Sequence, residues 1–407
     1  MLLDLPTELI NLIISFTSNK VYDLCLVNKY FANNCKQIRI LDNDRYPKMN
    51  DDQLLTLSNI LSLDLRESRL ITDDGIKNLK NITYLDIGEN NDFITDKGIS
   101  QLTSLLTLNI EYNYNITDYG IKNLVNLTYL NIEGTDITNI SYLVNLRTLK
   151  PSEHITDQCL LQLTNLTELD FNHNDNITNT GIEKLTNLRS LGLFRNTSIT
   201  DDGLLNLTNL THLMLNYNNN ITNKGISYLS KLSSISLSSN NNITNLPTSL
   251  THLGIGQNNA IDQYSLLQLP YLTSLDISLG GGVTDEVLSK LTNLQSLDIA
   301  ANEIISDNGI STLTNLTHLD LSENGMITDD VLQYMISLRS IDIFYSNIAD
   351  EGISKLTNLT NLHAVDSEIT AEGISNLTNL TTLIIYDDDI TSKLIGKLPN
   401  LTKLDKI

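Results

Sequence analysis

Residues 315–324 read Asn-Leu-Thr-His-Leu-Asp-Leu-Ser-Glu-Asn, and residues 81–90 read Asn-Ile-Thr-Tyr-Leu-Asp-Ile-Gly-Glu-Asn. Each stretch is followed by Ile-Thr-Asp, at residues 327–329 and 94–96, and then by further apolar residues. The spacing between copies is regular, because Leu275, Leu297 and Leu319 are 22 residues apart. The chain of 407 residues therefore consists largely of one unit, repeated about sixteen times from near Ile60 to the C-terminus.

The first half of each unit has the pattern of a short strand. In Leu-Asp-Ile at residues 85–87 the apolar residues alternate with a polar one, so one face of the strand is buried. A single strand cannot bury that face alone, but stacked copies form a parallel sheet with about 4.8 Å between rungs. Apolar residues make up 41% of the chain and aromatic residues only 5%, so we expect an aliphatic core.

The second half of each unit predicts a turn and a short helix. We expect an Asn after each strand to bond backbone groups that would otherwise be buried unpaired. In Thr-Asp-x-Gly-Ile, Thr is a good N-cap and Asp suits the first helical turn. We expect the Gly to let the helix lie close to the sheet, and the loop between Asn and Ile to absorb differences in copy length. The Asn positions are Asn90, Asn113, Asn174, Asn196, Asn218, Asn240, Asn302 and Asn324.

This pattern, Leu-x-x-Leu-x-Leu-x-x-Asn with a period between 20 and 29, resembles the leucine-rich repeat. The resemblance implies an α/β solenoid over residues 38–407, a horseshoe with a parallel sheet on its concave side and short helices on its convex side. The half Ile-Thr-Asp-x-Gly-Ile-x-x-Leu is similar to the repeats of F-box leucine-rich proteins. The half Asn-Leu-Thr-x-Leu-Asp-Leu is similar to internalin repeats of bacterial surface proteins.

Residues 1–37 do not follow the repeat and predict three short helices. Leu-Pro-Thr-Glu-Leu at residues 5–9, Ile13 with Phe16, and Asp-Leu-x-x-Val-Asn-Lys-x-Phe at residues 23–31 resemble an F-box, with Thr17 where that family usually has Leu. The resemblance implies binding to a Skp-type adaptor and, through it, to a cullin ubiquitin ligase. The residues implied to contact the adaptor are Leu5, Pro6, Leu9, Ile13, Leu24 and Val27. The alternative is a helical cap over the open end of the repeat core.

Charge and cysteine usage bound the setting of the protein. The net charge of −22 and the absence of a Lys/Arg cluster disfavour nucleic acid as a partner. The three cysteines, Cys25, Cys35 and Cys159, are too widely spaced for a disulfide framework, which favours a reducing compartment. The N-terminus is a poor secretory signal and no apolar run reaches the length of a membrane span. We expect a cytoplasmic protein, in the host cytoplasm if the chain is viral, with no membrane partner.

The sequence contains no pattern typical of catalysis or metal binding. His212, His252 and His318 fall in one column of the repeat, two and three copies apart, without metal-ligand spacing. Asp276, Asp298 and Asp320 fall on successive rungs, but no nucleophile accompanies them. Residues 280–282, Gly-Gly-Gly, lack the Lys and Ser/Thr of a phosphate-binding loop. We therefore expect no enzyme activity, no catalytic residue, no metal and no cofactor.

Near the C-terminus, apolar and aromatic side chains replace the small and acidic ones at the outward-facing strand positions. Contiguous exposed apolar surface commonly marks a partner site. The expected partner-binding residues are Phe344, Tyr345, His363, Val365, Ile384 and Tyr386, with Asp342, Asp366 and Asp387 beside them; a smaller candidate comprises Phe194, Arg195, Met214 and Tyr217. The favoured function is substrate recognition in a Skp–cullin–F-box ligase, with an unknown protein as substrate. The alternatives are an internalin-like binding protein with a helical cap and a structural scaffold.

Overall fold

The computed structural model describes residues 37–39, 50–55, 60–66, 68–88, 91–171, 174–386 and 398–406. These residues divide into two compact units. The first unit comprises the described residues up to Gly192 together with Ser198–Asn209. The second unit comprises Leu193–Thr197 together with the described residues from Leu210 onward. In both, three- or four-residue strands alternate with short helices, as the repeat predicts.

In the first unit, each strand pairs in parallel with the next, so the sheet order follows the sequence. The strands are β1 (Gln37–Arg39), β2 (Ser62–Asp64), β3 (Tyr84–Asp86), β4 (Thr107–Asn109), β5 (Tyr129–Asn131), β6 (Thr148–Lys150), β7 (Glu168–Asp170) and β8 (Ser190–Gly192). The helices are α1 (Asp51–Leu55), α2 (Asp73–Ile76), α3 (Asp96–Ile99), α4 (Asp118–Ile121), α5 (Asp157–Leu160), α6 (Asn179–Ile182) and α7 (Asp201–Leu204).

The second unit has the same parallel order. Its strands are β9 (His212–Met214), β10 (Ser234–Ser236), β11 (His252–Gly254), β12 (Ser274–Asp276), β13 (Ser296–Asp298), β14 (His318–Asp320), β15 (Ser340–Asp342), β16 (Asn361–His363), β17 (Thr382–Ile385) and β18 (Lys403–Lys406). Its helices are α8 (Asn223–Ile226), α9 (Asp285–Leu288), α10 (Asp307–Ile310), α11 (Asp329–Leu332), α12 (Asp350–Ile353) and α13 (Ala371–Ile374), with a 3-10 helix at Gln263–Gln268.

The core is aliphatic, and the middle residue of each strand forms its centre. Leu275, Leu297 and Leu319 pair in register and are at most 3% exposed, whereas the residues on either side of each are partly exposed or exposed. Ile and Leu residues from the turns and helices complete the core, and Phe171 is its largest fully buried side chain. The alternation read from the sequence is therefore confirmed.

Buried asparagines after the strands join neighbouring repeats. The Nδ2 of Asn113 donates to the backbone carbonyl of Asn91, 2.8 Å away, and the Oδ1 of Asn113 accepts from the amide of Asn115 at 2.9 Å. This confirms the predicted role of the Asn in the repeat. Asn90, which the sequence predicts for this role, lies outside the described residues. In this copy the next residue, Asn91, is buried and donates to the carbonyls of Leu65 and Ser68.

In many repeats the residue just before the buried polar residue of the turn, most often the Asn described above, has a left-handed backbone, with φ between 50° and 57°. This conformation costs a non-glycine residue roughly 1 kcal/mol, and the buried turn that follows fixes it. These turns project their side chains beside the sheet, so that Tyr345 is 68% exposed and Leu279 is 57% exposed. The residues are Tyr112, Arg195, Tyr217, Ser239, Gln257, Leu279, Ala301, Glu323, Tyr345 and Asp366.

On the helical side, a carboxylate of one repeat holds the helix start of the next. The amide of Thr95 donates to Oδ1 of Asp73 at 2.8 Å, and the Thr95 hydroxyl donates to Oδ2 at 2.7 Å. The same Thr95 hydroxyl caps its own helix by accepting from the amide of Lys97 at 3.3 Å, which confirms the predicted N-cap. We call this arrangement the Asp–Thr clamp. It recurs at Asp51–Thr72, Asp96–Thr117, Asp118–Thr138, Asp157–Thr178, Asp285–Ser306, Asp307–Thr328 and Asp350–Thr370.

The clamp explains the recurring glycine and corrects the expected reason for it. A Cβ at Gly98 would lie 2.5 Å from Oδ1 of Asp73, and a Cβ at Gly352 would lie 2.4 Å from Oδ1 of Asp329. Real Cβ atoms essentially never approach another heavy atom this closely. The glycine therefore makes room for the clamping carboxylate of the preceding repeat, rather than for an approach of the helix to the sheet.

The variable loop does not absorb every difference in copy length. Between β5 and β6 the turn continues from Ile137 to Ile140 without a helix, and the segment between β10 and β11 also lacks one. These are two of the places where the copies shorten. In both, the missing residues come from the helix, because the strand and its core leucine are needed to continue the sheet.

The strand β1 pairs in parallel with β2, so Gln37 is the first residue of the sheet within the described part of the chain. The segment that resembles an F-box, with Leu5, Pro6, Leu9, Ile13, Leu24 and Val27, lies outside the described residues. The division into a module at 1–37 and a repeat array at 38–407 stays a prediction. Within the part that is described, no helix is long and apolar enough to cross a membrane.

Candidate binding face

The face of the sheet opposite the helices presents two side chains from each strand, one on each side of the buried central residue. We call it the open sheet face. In the second unit the third residue of each strand changes in character along the sheet. Small side chains occupy β10 and β11, aspartates occupy β12 to β15, and His363 and Ile384 follow on β16 and β17.

Five side chains near the C-terminal end form what we call the aromatic cluster: Phe344, Tyr345, His363, Ile384 and Tyr386. The ring of His363 stacks on Phe344 with centroids 5.8 Å apart and 21° between the planes, and Tyr345 lies 6.3 Å from Phe344. Ile384 is next to His363 in the sheet register and is partly exposed, and Tyr386 is 65% exposed. The structure thus brings together five of the six residues expected at this site.

Val365 is the exception. Its side chain is only 3% exposed, so it is not part of an exposed patch, contrary to the expectation from its strand position. In the sheet register, Val365 is equivalent to Phe344 and Tyr386, each two residues after the aligned Asp342, His363 and Ile384. A short valine between two larger aromatic residues does not extend beyond them. Strand position alone therefore predicted its direction but not its exposure.

His363 is fixed from two sides. Its Nδ1 lies 2.7 Å from Oδ2 of Asp342, and its ring packs against Phe344. Its Nε2 is buried and has no hydrogen-bond partner among the described residues. These contacts hold the ring in one orientation, so His363 and Phe344 are already packed together before any partner binds.

Four carboxylates lie next to this cluster on successive strands: Asp276, Asp298, Asp320 and Asp342. We call them the aspartate ladder. Each uses one oxygen to accept the amide two residues onward, as Asp298 does from Ala300 at 2.9 Å. Among the described residues none of the four forms an ion pair with Lys or Arg. Burial raises the pKa of Asp298 to about 6, and the charges of the other three carboxylates add to this effect.

The smaller candidate site also comes together. Phe194 and Tyr217 meet edge to face with centroids 5.5 Å apart, and the guanidinium of Arg195 lies 4.9 Å from the Tyr217 ring centroid and 5.2 Å from that of Phe194. Met214 beside them is 40% exposed.

The residues that the sequence analysis missed are Leu279 and Tyr112. The sequence feature that could have identified them is their position three residues after the strand, where the left-handed turn exposes the side chain.

In the first unit some charged side chains of the open sheet face are paired with one another. The guanidinium of Arg66 binds Asp64 at 2.8 Å and lies 3.5 Å from Asp86. Asn131 donates to Glu111 at 2.9 Å. Burial raises the pKa of Asp86, while hydrogen bonds from Gly88 and Asn109 lower it. The buried Oδ1 of Asp170 on β7, by contrast, has no hydrogen-bond partner among the described residues.

A polar groove of about 940 Å³ runs along the strand starts of β11 to β15. Several of its groups already bond the preceding repeat, as the Thr317 hydroxyl does with the carbonyl of Gln295 at 3.0 Å. His212, His252 and His318 occupy one column on β9, β11 and β14, and each shares a hydrogen bond with the hydroxyl of the Thr before it. Over the described ranges, no group of three or more His, Cys, Asp or Glu side chains is placed to hold a metal ion.

Comparison with known proteins identifies leucine-rich repeats in the chain. A leucine-rich-repeat family model matches residues 162–186, 184–207, 206–230, 290–313, 312–330 and 334–357, and none of these stretches falls within residues 1–37. A leucine-rich-repeat protein of Leptospira interrogans has a similar structure, with a TM-score of 0.50 and 23% identity over 94% of this chain and 98% of that one. This likeness supports the leucine-rich-repeat fold.

Two other solved structures are similar to a lesser degree. An internalin from Listeria monocytogenes has a TM-score of 0.41 and 25% identity over 90% of this chain and 95% of that one. A complex of TLR13 with ssRNA13 has a TM-score of 0.47 and 19% identity over 91% of this chain and 80% of the matched chain. No curated protein sequence matches this chain.

Asp298, on the aspartate ladder, makes the stability of the protein pH-dependent. Because the folded pKa of Asp298 is about 6, above the value near 3.9 of an unfolded chain, its protonation stabilises the fold at low pH. This contribution is lost as the pH rises through about 6. We expect Asp298→Asn to raise the free energy of unfolding at pH 7.5 by on the order of 1–2 kcal/mol, with the gain shrinking toward pH 4.5.

Urea unfolding of the wild-type and Asp298→Asn proteins at both pH values measures this difference. Asp366→Asn is the matched control, because Asp366 is exposed and lies off the ladder. An advantage of Asp298→Asn that is equal at the two pH values would contradict the assignment.

Proposed function

We propose that the chain is a protein-recognition subunit and that the open sheet face of its second unit binds a protein partner. The observation that carries the proposal is the aromatic cluster. Tyr345 and Tyr386 are 68% and 65% exposed, on a face where Phe344 and His363 are already packed in place. Aromatic side chains dominate the energetics of protein interfaces, and an ordered cluster loses little entropy on binding.

The charges beside the cluster indicate the kind of partner. The aspartate ladder has no Lys or Arg ion pair among the described residues, and its like charges disfavour one another. A Lys or Arg side chain from a partner would relieve this repulsion while an adjacent apolar side chain packs on the aromatic cluster. The net charge of −22 favours the approach of such a partner and disfavours a phosphate backbone.

We expect a photo-crosslinking residue, p-benzoylphenylalanine, to capture one predominant protein when it replaces Tyr345, and not when it replaces Tyr334. Tyr334 is the matched control, because its side chain is 70% exposed and that of Tyr345 is 68% exposed. The two differ in location, since Tyr334 follows α11 on the helical side. Mass spectrometry of the adduct from cell extract identifies the captured protein.

The same adduct should be lost in Phe344→Ser with Tyr386→Ser and kept in Tyr334→Ser with Tyr271→Ser. Tyr271 is 65% exposed and lies away from the aromatic cluster. Crosslinking at position 334 instead, or an adduct that survives the change at Phe344 and Tyr386, would show that the partner does not use this face.

We further propose that residues 1–37 form an F-box, so that the chain serves as the substrate-recognition subunit of a Skp–cullin–F-box ubiquitin ligase. Support comes from the order and spacing of Leu-Pro-Thr-Glu-Leu at residues 5–9 and of Leu24 and Val27. The β1 strand starts at Gln37, so the adaptor-binding segment directly precedes this strand in the sequence. A cytoplasmic location accords with this role.

We expect Leu5→Ala with Pro6→Ala to abolish pull-down of a purified Skp-type adaptor by the full chain. Leu2→Ala with Thr7→Ala is the control, because these positions lie outside the residues implied to contact the adaptor. Thermal unfolding of the repeat array should be nearly unchanged in both. If the double variant still binds, or if the wild-type chain does not bind the adaptor at all, the F-box assignment is wrong. Partner capture without adaptor binding would leave an internalin-like recognition protein as the remaining hypothesis.

A further inference from the structure

Arg195 is distinguished, among the basic residues that the structure describes, by lying over two aromatic rings, whereas Lys122 lies over one. The chain has 48 Asp and Glu against 26 Lys and Arg, yet none of the ion pairs among the described residues involves Arg195. Arg66, by comparison, is held by Asp64 at 2.8 Å. Arg195 is exposed, and its side chain instead contacts the rings of Phe194 and Tyr217.

The backbone builds this contact. Arg195 and Tyr217 occupy the same left-handed position in adjacent repeats, with φ of 53° and 57°. The amide of Arg195 donates to the carbonyl of Asn216 at 3.1 Å, which ties the two turns together. Their side chains therefore project next to each other. The ring of Phe194 lies beside them, nearly perpendicular to the Tyr217 ring, with 79° between the two planes.

The aromatic contacts orient the guanidinium without using its hydrogen bonds. Rings attract a guanidinium through its face, so the N–H groups at its edge stay available. A planar guanidinium held in one orientation is suited to bind a carboxylate through two parallel hydrogen bonds. Because its rotamer is already restricted by the rings, Arg195 loses less entropy on binding than a free side chain would.

We propose that Phe194, Arg195, Met214 and Tyr217 form a second binding site, which takes a Glu or Asp side chain of a protein partner together with a neighbouring apolar residue. Charge complementarity selects the acid. Met214 and Tyr217, 40% and 42% exposed, supply the apolar surface beside it. We call it the arginine site. A nucleic acid is a poor occupant, because the cluster has a single cation in a chain of net charge −22.

The arginine site goes beyond the proposed function and does not depend on it. Seven rungs separate Phe194 from Phe344 within the second unit, which is roughly 30 Å along the sheet at about 4.8 Å per rung. One side chain of a partner cannot reach both sites. The sites also have opposite charge preferences, so the failure of the aromatic cluster to bind a basic partner would leave the arginine site untouched.

The test uses the full chain and three labelled peptides. The probe is fluorescein-Gly-Ser-Leu-Glu-Tyr-Leu-Ser-Gly, with Gln or phosphoserine replacing Glu in the comparison peptides, and fluorescence anisotropy measures binding. We expect the Glu peptide to bind the wild-type chain at least about tenfold more tightly than the Gln peptide, since charge-assisted bidentate hydrogen bonds are worth roughly that factor or more.

Arg195→Ala should lower the affinity for the Glu peptide to that of the Gln peptide. Arg195→Lys should give an intermediate affinity, because it keeps the charge but loses the planar donor pair. Arg339→Ala is the matched control, an exposed arginine of the same unit, and should bind as the wild type does. Circular dichroism and thermal unfolding check that each variant is folded. If Arg195→Ala is not folded, the affinity of Arg195→Lys provides the test instead.

Three results would overturn the proposal: no measurable binding of the Glu peptide to the wild-type chain, equal binding of the Glu and Gln peptides, or unchanged binding in Arg195→Ala. Tighter binding of the phosphoserine peptide than of the Glu peptide would assign the site to phosphate and overturn the carboxylate assignment.

Discussion

The hydrogen bonds between neighbouring repeats are the interaction on which the rest of this structure depends. A three-residue strand and a four-residue helix are each far too short to be stable alone. In the Asp–Thr clamp, Asp73 accepts both the amide and the hydroxyl of Thr95, and the missing Cβ of Gly98 leaves room for its carboxylate. On the other side of the core, Asn113 bonds the carbonyl of Asn91. Each repeat is thus held by its neighbour at both ends of its turn.

This arrangement frees the open sheet face for binding. The core takes the middle residue of each strand, and the clamp and the asparagines take the turns. The side chains at the outward strand positions and at the left-handed turn are not needed to fill the core. On the second unit these positions carry the aspartate ladder, the aromatic cluster and Arg195, and the regular register places them at fixed spacing. Binding specificity can therefore vary along the sheet without disturbing the repeat.

Much of the fold could be predicted from the sequence, because comparing the copies of the repeat shows which residue types recur at each position. The buried Leu or Ile of each strand, the Asn after the strand and the Thr N-cap were all predictable, since each recurs with the same local function in many copies. The role of Gly98 was not, because the atom that excludes a Cβ belongs to Asp73 of the preceding repeat. The helix-free segments before β6 and β11 were missed for a related reason, since a short copy does not reveal which element it lacks.

The candidate site was predictable in position but not in detail. Alternation places Phe344, His363 and Tyr386 on the open sheet face, and the structure agrees. The burial of Val365 was not predictable from alternation, which does not consider the sizes of side chains on neighbouring rungs. The contact of Arg195 with two rings depends on two left-handed turns standing side by side. The six residues expected to contact the adaptor lie outside the described part of the chain, so their role remains a prediction.

The most direct test of this account is a double-mutant cycle between Asp73 and Gly98, measured by urea unfolding with hydrogen exchange. We expect Gly98→Ala to cost about 1–3 kcal/mol in the wild-type background, because the new Cβ meets the Asp73 carboxylate. In the Asp73→Ala background the same change should cost little, giving a coupling of about 1 kcal/mol or more, with protection lost mainly in the adjacent repeats. Additive effects of the two changes, or loss of protection spread evenly along the array, would contradict the claim that each repeat is clamped by its neighbour.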